Sequence, residues 1–103
     1  AGIRVRIVRE AEVDAGASEL LGQVLRETAT NILRHAQAQE VRITLSATGI
    51  AIVNDGAQGE GLPELRGLST LRDRLAGEGG ELTVRQEDGR FSTTAVFPGV
   101  AAR

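Results

Sequence analysis

One long segment with helical periodicity, set among short alternating segments, constrains the fold of this chain most. Between Ser18, a fair N-cap, and about Gln37, apolar residues recur at helical spacing: Leu21, Val24, Leu25, Ala29, Ile32, Leu33 and Ala36. A helix with such a stripe has to bury it against a second layer of structure. Gly22 weakens the first turn, since glycine inside a helix costs about 1 kcal/mol relative to alanine.

Short segments with period-2 alternation predict the strands of that second layer. The first has Ile3, Val5 and Ile7 between arginines, which is typical of a half-buried strand. The other segments predicted as strands are 41–46 and 50–53, joined by a tight turn at Thr48-Gly49, and 81–86 and 91–97, joined at 87–89.

A Gly-rich loop spans residues 54–67, and a second helix is predicted from Leu68 to Glu78, ending at Gly79-Gly80. The order is therefore strand, helix, two strands, loop, helix, two strands. This order predicts an α+β fold in two layers, with an antiparallel-rich sheet and its helices on one face.

Composition limits the possible functions. A chain of 103 residues suits a single domain over 1–103, and a first residue other than Met suggests a piece of a longer chain. A net charge of -2 gives no electrostatic case for binding nucleic acid or an anionic membrane. The absence of cysteine removes thiolate metal sites, and the absence of lysine removes the phosphate-binding residue of a Walker-type loop.

The first helix carries the most informative polar cluster. Glu27, Asn31 and His35 line up one turn apart, with Arg34 beside them at the border of the apolar stripe. Carboxylate and amide oxygens are ligands that Mg²⁺ accepts, and a guanidinium suits phosphate. Spacing alone favours a solvated helix face, with His35 as a partly buried structural histidine.

Two further clusters lie at the ends of the Gly-rich loop. The first runs from Ile52 through Asn54, Asp55 and Gly56, where a strand enters the loop; the second is Gly67-Leu68-Ser69-Thr70-Leu71, where a glycine opens a helix whose N-terminus could bind an anion. By itself, the first also fits a plain turn and the second a plain loop end.

Taken together and in order, these clusters resemble sensor histidine kinases. The segment Glu27-x-x-x-Asn31-x-x-Arg34-His35-Ala36 resembles their N box, Asn54-Asp55-Gly56 their first glycine box, and 67–75 their second. Gly79-Gly80-Glu81-Leu82 and Phe97-Pro98 fit the closing strands of the family. The resemblance runs from about Leu20 to Pro98 and is nearest to the nitrate-sensing and membrane-fluidity-sensing branch.

The resemblance implies a Bergerat-type α/β sandwich, as in gyrase, a heat-shock chaperone and mismatch-repair ATPases. In such domains, Glu27 and Asn31 would serve Mg²⁺ and catalysis, Arg34 would contact phosphate, and His35 would lie near the phosphates. Asn54 would form a hydrogen bond to adenine, and Asp55 and Gly56 would also bind ATP. The loop from Gly56 to Arg66 would be the ATP lid, and the residues that follow it would bind phosphate, namely Gly67, Leu68, Ser69 and Thr70.

Three positions depart from the family pattern. Asn54 stands where most relatives have Asp, and Gln58 and Leu65 each replace a glycine. An amide oxygen can still accept from the adenine amino group, but an amide that rotates could present its donor instead and so discriminate less between bases.

The resemblance implies a domain that binds Mg-ATP and presents the γ-phosphate to a histidine on a separate dimerisation domain. A response regulator would be an indirect partner, and the domain would be a cytoplasmic part of a membrane-anchored sensor. His35 is not the expected phosphoacceptor, because it lies within the binding helix. The alternatives are an anti-sigma-factor-type Ser/Thr kinase, which shares the fold, and a degenerate, non-catalytic interaction module.

Overall fold

The computed structural model describes residues 3–35, 38–56 and 68–97, which form five strands and two helices. In chain order these are β1 (Arg4–Arg9), α1 (Ala15–His35), β2 (Glu40–Leu45), β3 (Gly49–Asn54), α2 (Leu68–Gly77), β4 (Glu81–Glu87) and β5 (Arg90–Val96). The element order predicted from the sequence is confirmed. Neither described helix combines the length and apolarity needed to cross a bilayer.

The strands form one mixed, mainly antiparallel sheet in the order β1-β2-β3-β5-β4. Only β1 and β2 pair in parallel, and α1 makes the crossover that such a pair requires. The two predicted hairpins, β2–β3 and β4–β5, both form. Asp88 and Gly89 connect β4 to β5 with positive φ angles of 52° and 76°, which is typical of a two-residue hairpin turn.

One face of this sheet is buried, as the alternating pattern predicts. Register places Ile43, Ile52, Thr93 and Val84 side by side across four strands, and the first three of these are buried. Against this face pack α1, which lies on β3 and β5, and α2, which lies on β4. The helices also contact each other, so both lie on one face of the sheet, as expected.

The start of α1 differs from the sequence prediction. The helix begins at Ala15 and not after Ser18, because Asp14 is the N-cap: its Oδ1 accepts from the Gly16 N–H at 3.0 Å. The Asp14 carbonyl accepts from the N–H of Ser18 at 3.1 Å, and the Ser18 hydroxyl donates to the Ala15 carbonyl. Ser18 therefore lies within the first turn.

The end of α2 is fixed by two glycines, as predicted. The Gly80 N–H donates to the Leu75 carbonyl at 2.7 Å and the Gly79 N–H to the Ala76 carbonyl at 3.1 Å, the bonding of a Schellman motif. Gly79 has φ +82°, and a Cβ on Gly80 would lie 2.7 Å from the Val96 carbonyl oxygen. Glycine at these two positions therefore lets the chain turn from α2 into β4 without backbone strain or a steric clash.

The prediction that β1 is half-buried is wrong. All six of its residues are exposed, and Val5 and Ile7 are 54% and 63% exposed. Their register partners on β2, Val41 and Ile43, are only 7% and 8% exposed on the same face. Neither helix packs extensively on β1, so the helical layer ends before the sheet does.

Candidate functional site

A cavity of about 390 Å³ lies between α1 and α2 and brings together two of the predicted clusters. Glu27, from the cluster on the first helix, and Thr70, from the cluster that opens the second helix, both line it, although they are far apart in sequence. Among the described residues, the lining is Gln23, Arg26, Glu27, Thr70, Leu71 and Arg74. The packing of α2 beside α1 therefore creates a single pocket from the two helical motifs.

The cavity has an excess of positive charge. Two arginines, Arg26 and Arg74, line it together with one carboxylate, that of Glu27. Arg74 is held across the helix interface, because its Nη1 donates to the Gln23 Oε1 at 2.6 Å. Thr70 lies in the first turn of α2, where backbone N–H groups have no partner within the helix. These groups together suit an anion with several oxygens.

The structure describes only some of the other predicted site residues on and near the helices. Asn31, Arg34 and His35 lie on the last turns of α1 and Leu68 opens α2, but their side chains lie outside the described part of the structure. Gly67, Gln58 and Leu65 also fall outside the described residues. Ser69 is exposed in the first turn of α2 and does not line the cavity. The roles expected of all these residues stay predictions.

Asn54, the predicted base-binding residue, carries a buried oxygen without a partner. It ends β3 and is only 2% exposed, and its Oδ1 accepts no hydrogen bond from the residues that the structure describes. A buried carbonyl oxygen is almost always satisfied in a folded protein, and leaving one unpaired costs about 1–3 kcal/mol. An acceptor maintained in this condition fits a ligand that supplies a donor, such as the amino group of a purine.

The orientation of the Asn54 amide is fixed by a local bond. Its Nδ2 donates to the carbonyl oxygen of Asp55 at 2.9 Å. The amide orientation follows from this bond, because a flipped amide would place Oδ1 against that carbonyl oxygen. Free rotation, which the sequence suggested, is therefore disfavoured: the acceptor faces the interior, and one of the two N–H donors of the amide is already used.

Two buried threonine hydroxyls lie on elements that contact the strand of Asn54. Thr28 is 1% exposed and Thr93 is fully buried, and neither Oγ1 has a hydrogen-bond partner among the described residues. Thr93 lies diagonally across from Asn54 on the same face, since Asn54 pairs with Phe91 in the β3–β5 register. Thr28 is on α1, which packs against these two strands. The polar atoms without partners therefore all belong to the elements around the end of β3.

Asp55 has a structural partner in this conformation. Its Oδ1 accepts from the backbone N–H groups of Gln39 at 2.8 Å and Glu40 at 3.0 Å. These bonds, first that of Glu40 and then that of Gln39, lower the pKa of the Asp55 carboxyl below its ordinary value of 3.8. Asp55 thus ties the start of β2 to the end of β3, beside Gly56, whose φ is +72°. Nucleotide contacts by Asp55 and Gly56 stay predictions.

Sequence reasoning missed several residues of the site. Gln23 and Arg74 each lie four residues from a predicted site residue on the same helix, so helical spacing could have identified both. Arg26 follows Gln23 by three residues and could have been found in the same way. Spacing also gave a signal for the two threonines: Thr28 lies between Val24 and Ile32 in the apolar stripe of α1, and Thr93 lies between Phe91 and Ala95 in the alternation of β5.

Comparison with known proteins supports the same fold. No family model matches the sequence. Among solved structures, the chain is similar to the blue-light activated histidine kinase of Erythrobacter litoralis EL346, with TM-score 0.72 and 21% identity over 95% of this chain and 36% of that one. It is also similar to the cytoplasmic segment of histidine kinase QseC, with TM-score 0.66 and 21% identity over 92% of this chain and 60% of that one. The fold is that of histidine kinase catalytic domains.

The catalytic domain of histidine kinase ThkA is another such structure. It has a TM-score of 0.65 and 18% identity, and the match covers 93% of this chain and 78% of that domain. The chain spans only 36% and 60% of the first two structures above. The two-layer α/β fold is confirmed, whereas the nitrate- and membrane-fluidity-sensing branch stays a prediction.

Proposed function

We propose that this chain is the ATP-binding catalytic domain of a sensor histidine kinase. It binds Mg-ATP, and the γ-phosphoryl group passes to a histidine on a separate helical dimerisation and phosphoacceptor domain of the same protein. The observation that carries the proposal is the meeting of Glu27 and Thr70, from two of the family-like motifs, on one cavity with two arginines. The similarity to histidine kinase catalytic domains supports it.

In this proposal the cavity receives the phosphates. Arg26 and Arg74 neutralise phosphate charge, and the bond from Arg74 to Gln23 orients the Arg74 guanidinium before ligand arrives. The first-turn amides of α2, next to Thr70, donate to phosphate oxygens. The carboxylate of Glu27, with Asn31 one turn further along α1, supplies the hard oxygen ligands that Mg²⁺ accepts.

In this proposal the adenine base lies at the end of β3, next to Asn54. The Oδ1 of Asn54 accepts the amino group of adenine, which supplies the hydrogen bond that this buried oxygen lacks within the chain. Bound Mg-ATP would supply the phosphoryl group, and the residues of this chain position it and balance its charge. Arg34, His35 and Gly67 to Ser69 would complete the phosphate site.

The phosphoacceptor belongs to another domain in this proposal. His35 lies on α1, the helix that itself lines the phosphate cavity with Glu27. A residue on this binding helix is poorly placed for in-line attack on the γ-phosphate, so the acceptor histidine comes from the helical domain. We place the domain on the cytoplasmic side of a membrane-anchored sensor that signals to a response regulator.

The test measures Mg-ATP binding by calorimetry and by thermal unfolding. We expect Mg-ATP to raise the midpoint of unfolding, because a ligand of the folded state stabilises it. Glu27→Gln should weaken the Mg²⁺ dependence of binding, while Glu19→Gln, an exposed position on α1 that does not line the cavity, should leave it unchanged. Equal effects of the two substitutions would remove Glu27 from the metal site.

Phosphoryl transfer needs a separate assay. With labelled ATP, the chain should not label itself but should support labelling of a histidine kinase dimerisation domain added in trans. Acid-labile label on His35 would contradict this division between domains. A null calorimetric titration with Mg-ATP would favour the non-catalytic interaction module instead.

A further inference from the structure

The buried face of the sheet continues onto β1, where neither described helix packs extensively on it. Val5 and Ile7 lie beside Val41 and Ile43 in register and on the same face, yet more than half of each side chain is exposed. We name the side chains of Val5 and Ile7 on this face the β1 strip. The strip is an extension of the hydrophobic core, and not a set of scattered surface residues.

The width of the helical layer explains why the strip is exposed. A helix is about 10 Å across and strands lie about 4.8 Å apart, so two helices cover about four strands. The sheet has five strands, and α1 and α2 lie on β3, β5 and β4. The uncovered strip over β1 is therefore about one strand wide, or about half the width of a helix. A helix on the strip would extend beyond the edge of the sheet.

Charge indicates the kind of helix that fits. Within β1, three of the six residues are arginines and none is acidic. Arg9 follows Ile7 on the face of the strip, while Arg4 and Arg6 occupy the other face of this edge strand. Arg4 forms a 3.4 Å ion pair with Glu40, but among the described residues Arg6 and Arg9 have no ion-pair partner. Arginines at an edge also disfavour pairing with a second, equally basic β1.

From these observations we propose that the β1 strip docks an amphipathic helix whose apolar stripe is bordered by Asp or Glu. A strand of six residues is about 20 Å long, which corresponds to about 13 residues of helix. Apolar residues of the helix would cover Val5 and Ile7. Its acidic border would face Arg9 and, around the open edge, Arg6. The proposal does not depend on nucleotide binding, so it can fail or succeed separately from the function proposed above.

The test uses two synthetic helical peptides of 18 residues with the same leucine stripe, bordered by Glu in one and by Lys in the other. Binding to the chain is followed by fluorescence anisotropy at low salt without nucleotide. We expect the Glu peptide to bind about tenfold more tightly than the Lys peptide, and added salt to reduce this difference. Circular dichroism should show that the peptide is helical when bound.

Two neighbouring residues provide matched variants. Ile7→Ser changes the strip, whereas Val8→Ser changes an apolar residue of the same strand, 38% exposed on the opposite face. Ile7→Ser should weaken binding of the Glu peptide about tenfold, because the exposed 63% of Ile7 is what the helix would bury, while Val8→Ser should have little effect. Unchanged circular dichroism of both variants verifies that the fold is retained.

Several results would overturn the proposal. They are the absence of binding, equal binding of the two peptides, or equal loss of binding in the two variants. Binding of the peptide as an extended strand would show that the edge of β1, and not the strip, is the recognised feature. A dimer in sedimentation that Ile7→Ser dissociates would identify a second copy of this chain as the occupant.

Discussion

Asn54→Leu removes a buried amide whose oxygen has no partner, and we expect it to stabilise the chain while abolishing the response to ATP. Leucine has the same branching at Cγ as asparagine, so the substitution changes polarity far more than shape. Asn54 is 2% exposed and its Oδ1 is unpaired, so the substitution tests a single buried acceptor.

The magnitude follows from two opposing contributions. Removing an unsatisfied buried acceptor gains about 1–3 kcal/mol, and losing the 2.9 Å bond from Nδ2 to the Asp55 carbonyl loses about 1 kcal/mol. Asp55 is only partly buried, so water can donate to the Asp55 carbonyl in place of the lost Nδ2. The net expectation is a gain of about 0–2 kcal/mol, and each kcal/mol raises the unfolding midpoint by about 4–8 °C for a domain of this size.

The assay is urea and thermal unfolding of parent and variant, each with and without Mg-ATP. The parent should be stabilised by the nucleotide, and Asn54→Leu should be at least as stable as the parent without nucleotide but unresponsive to it. Thr93→Val is the control for the expected gain in stability without nucleotide. It removes a fully buried hydroxyl that has no partner among the described residues, on the neighbouring strand, and should stabilise the chain in the same way.

Two outcomes would refute this reasoning. If Asn54→Leu loses more than about 1 kcal/mol without nucleotide, the oxygen is satisfied in solution and is not an unpaired buried acceptor. If the variant keeps the full nucleotide response, Asn54 does not face the base. The two outcomes are independent, because one concerns the free chain and the other the complex.

Four further substitutions test the local arguments. Gly22→Ala should stabilise by about 1 kcal/mol in urea unfolding, since its Cβ would meet no atom within 4 Å in the helix. Gly80→Ala should destabilise by about 1–3 kcal/mol in the same assay, because its Cβ would collide with the Val96 carbonyl oxygen. Asp55→Ala should destabilise most near neutral pH, because a carboxyl whose pKa is lowered by folding stabilises the folded state above the unfolded pKa of about 3.8. In unfolding measured against pH, the difference in stability between variant and parent should shrink as the pH falls through the folded-state pKa. Asn54→Asp should lower stability, because it places a carboxylate at a position that is 2% exposed. It should leave the ratio of ATP to GTP dissociation constants nearly unchanged, because the bond from Nδ2 to the Asp55 carbonyl already turns the parent oxygen acceptor toward the interior.

The sequence predicted the fold well because most of its elements have strong local signals. The alternation in β2 to β5, the stripe of α1 and the two glycines after α2 each correspond to a physical requirement that acts over a few residues. The start of α1 was wrong because two possible caps, Asp14 and Ser18, lie four residues apart, and only the accepted bond from Gly16 distinguishes them. The burial of β1 was wrong for a different reason. Alternation shows which residues of a strand share a face but cannot show whether a helix covers that face.

The site was less predictable, because its geometry arises between elements. Glu27 and Thr70 could each be singled out by motif, but their common cavity exists only once α2 packs beside α1. The fixed amide of Asn54 depends on the carbonyl direction of the next residue, which no residue pattern specifies. Helical spacing extends from a predicted residue to its neighbours on the same face, as Gln23 and Arg74 show, but it does not cross from one element to another.

The edge strand β1 and the site at the end of the central strand β3 can be perturbed separately, which strengthens both proposals. The unpaired polar atoms lie on α1, β3 and β5, whereas the β1 strip lies two strands from Asn54, about 10 Å across the sheet. Substitutions at separate sites with no shared partners usually have additive effects. Ile7→Ser should therefore leave the nucleotide response intact, and Asn54→Leu should leave peptide binding intact. Measurable coupling between them would mean that a helix on β1 alters the nucleotide site, with β2 as the only strand between β1 and β3 to transmit the effect.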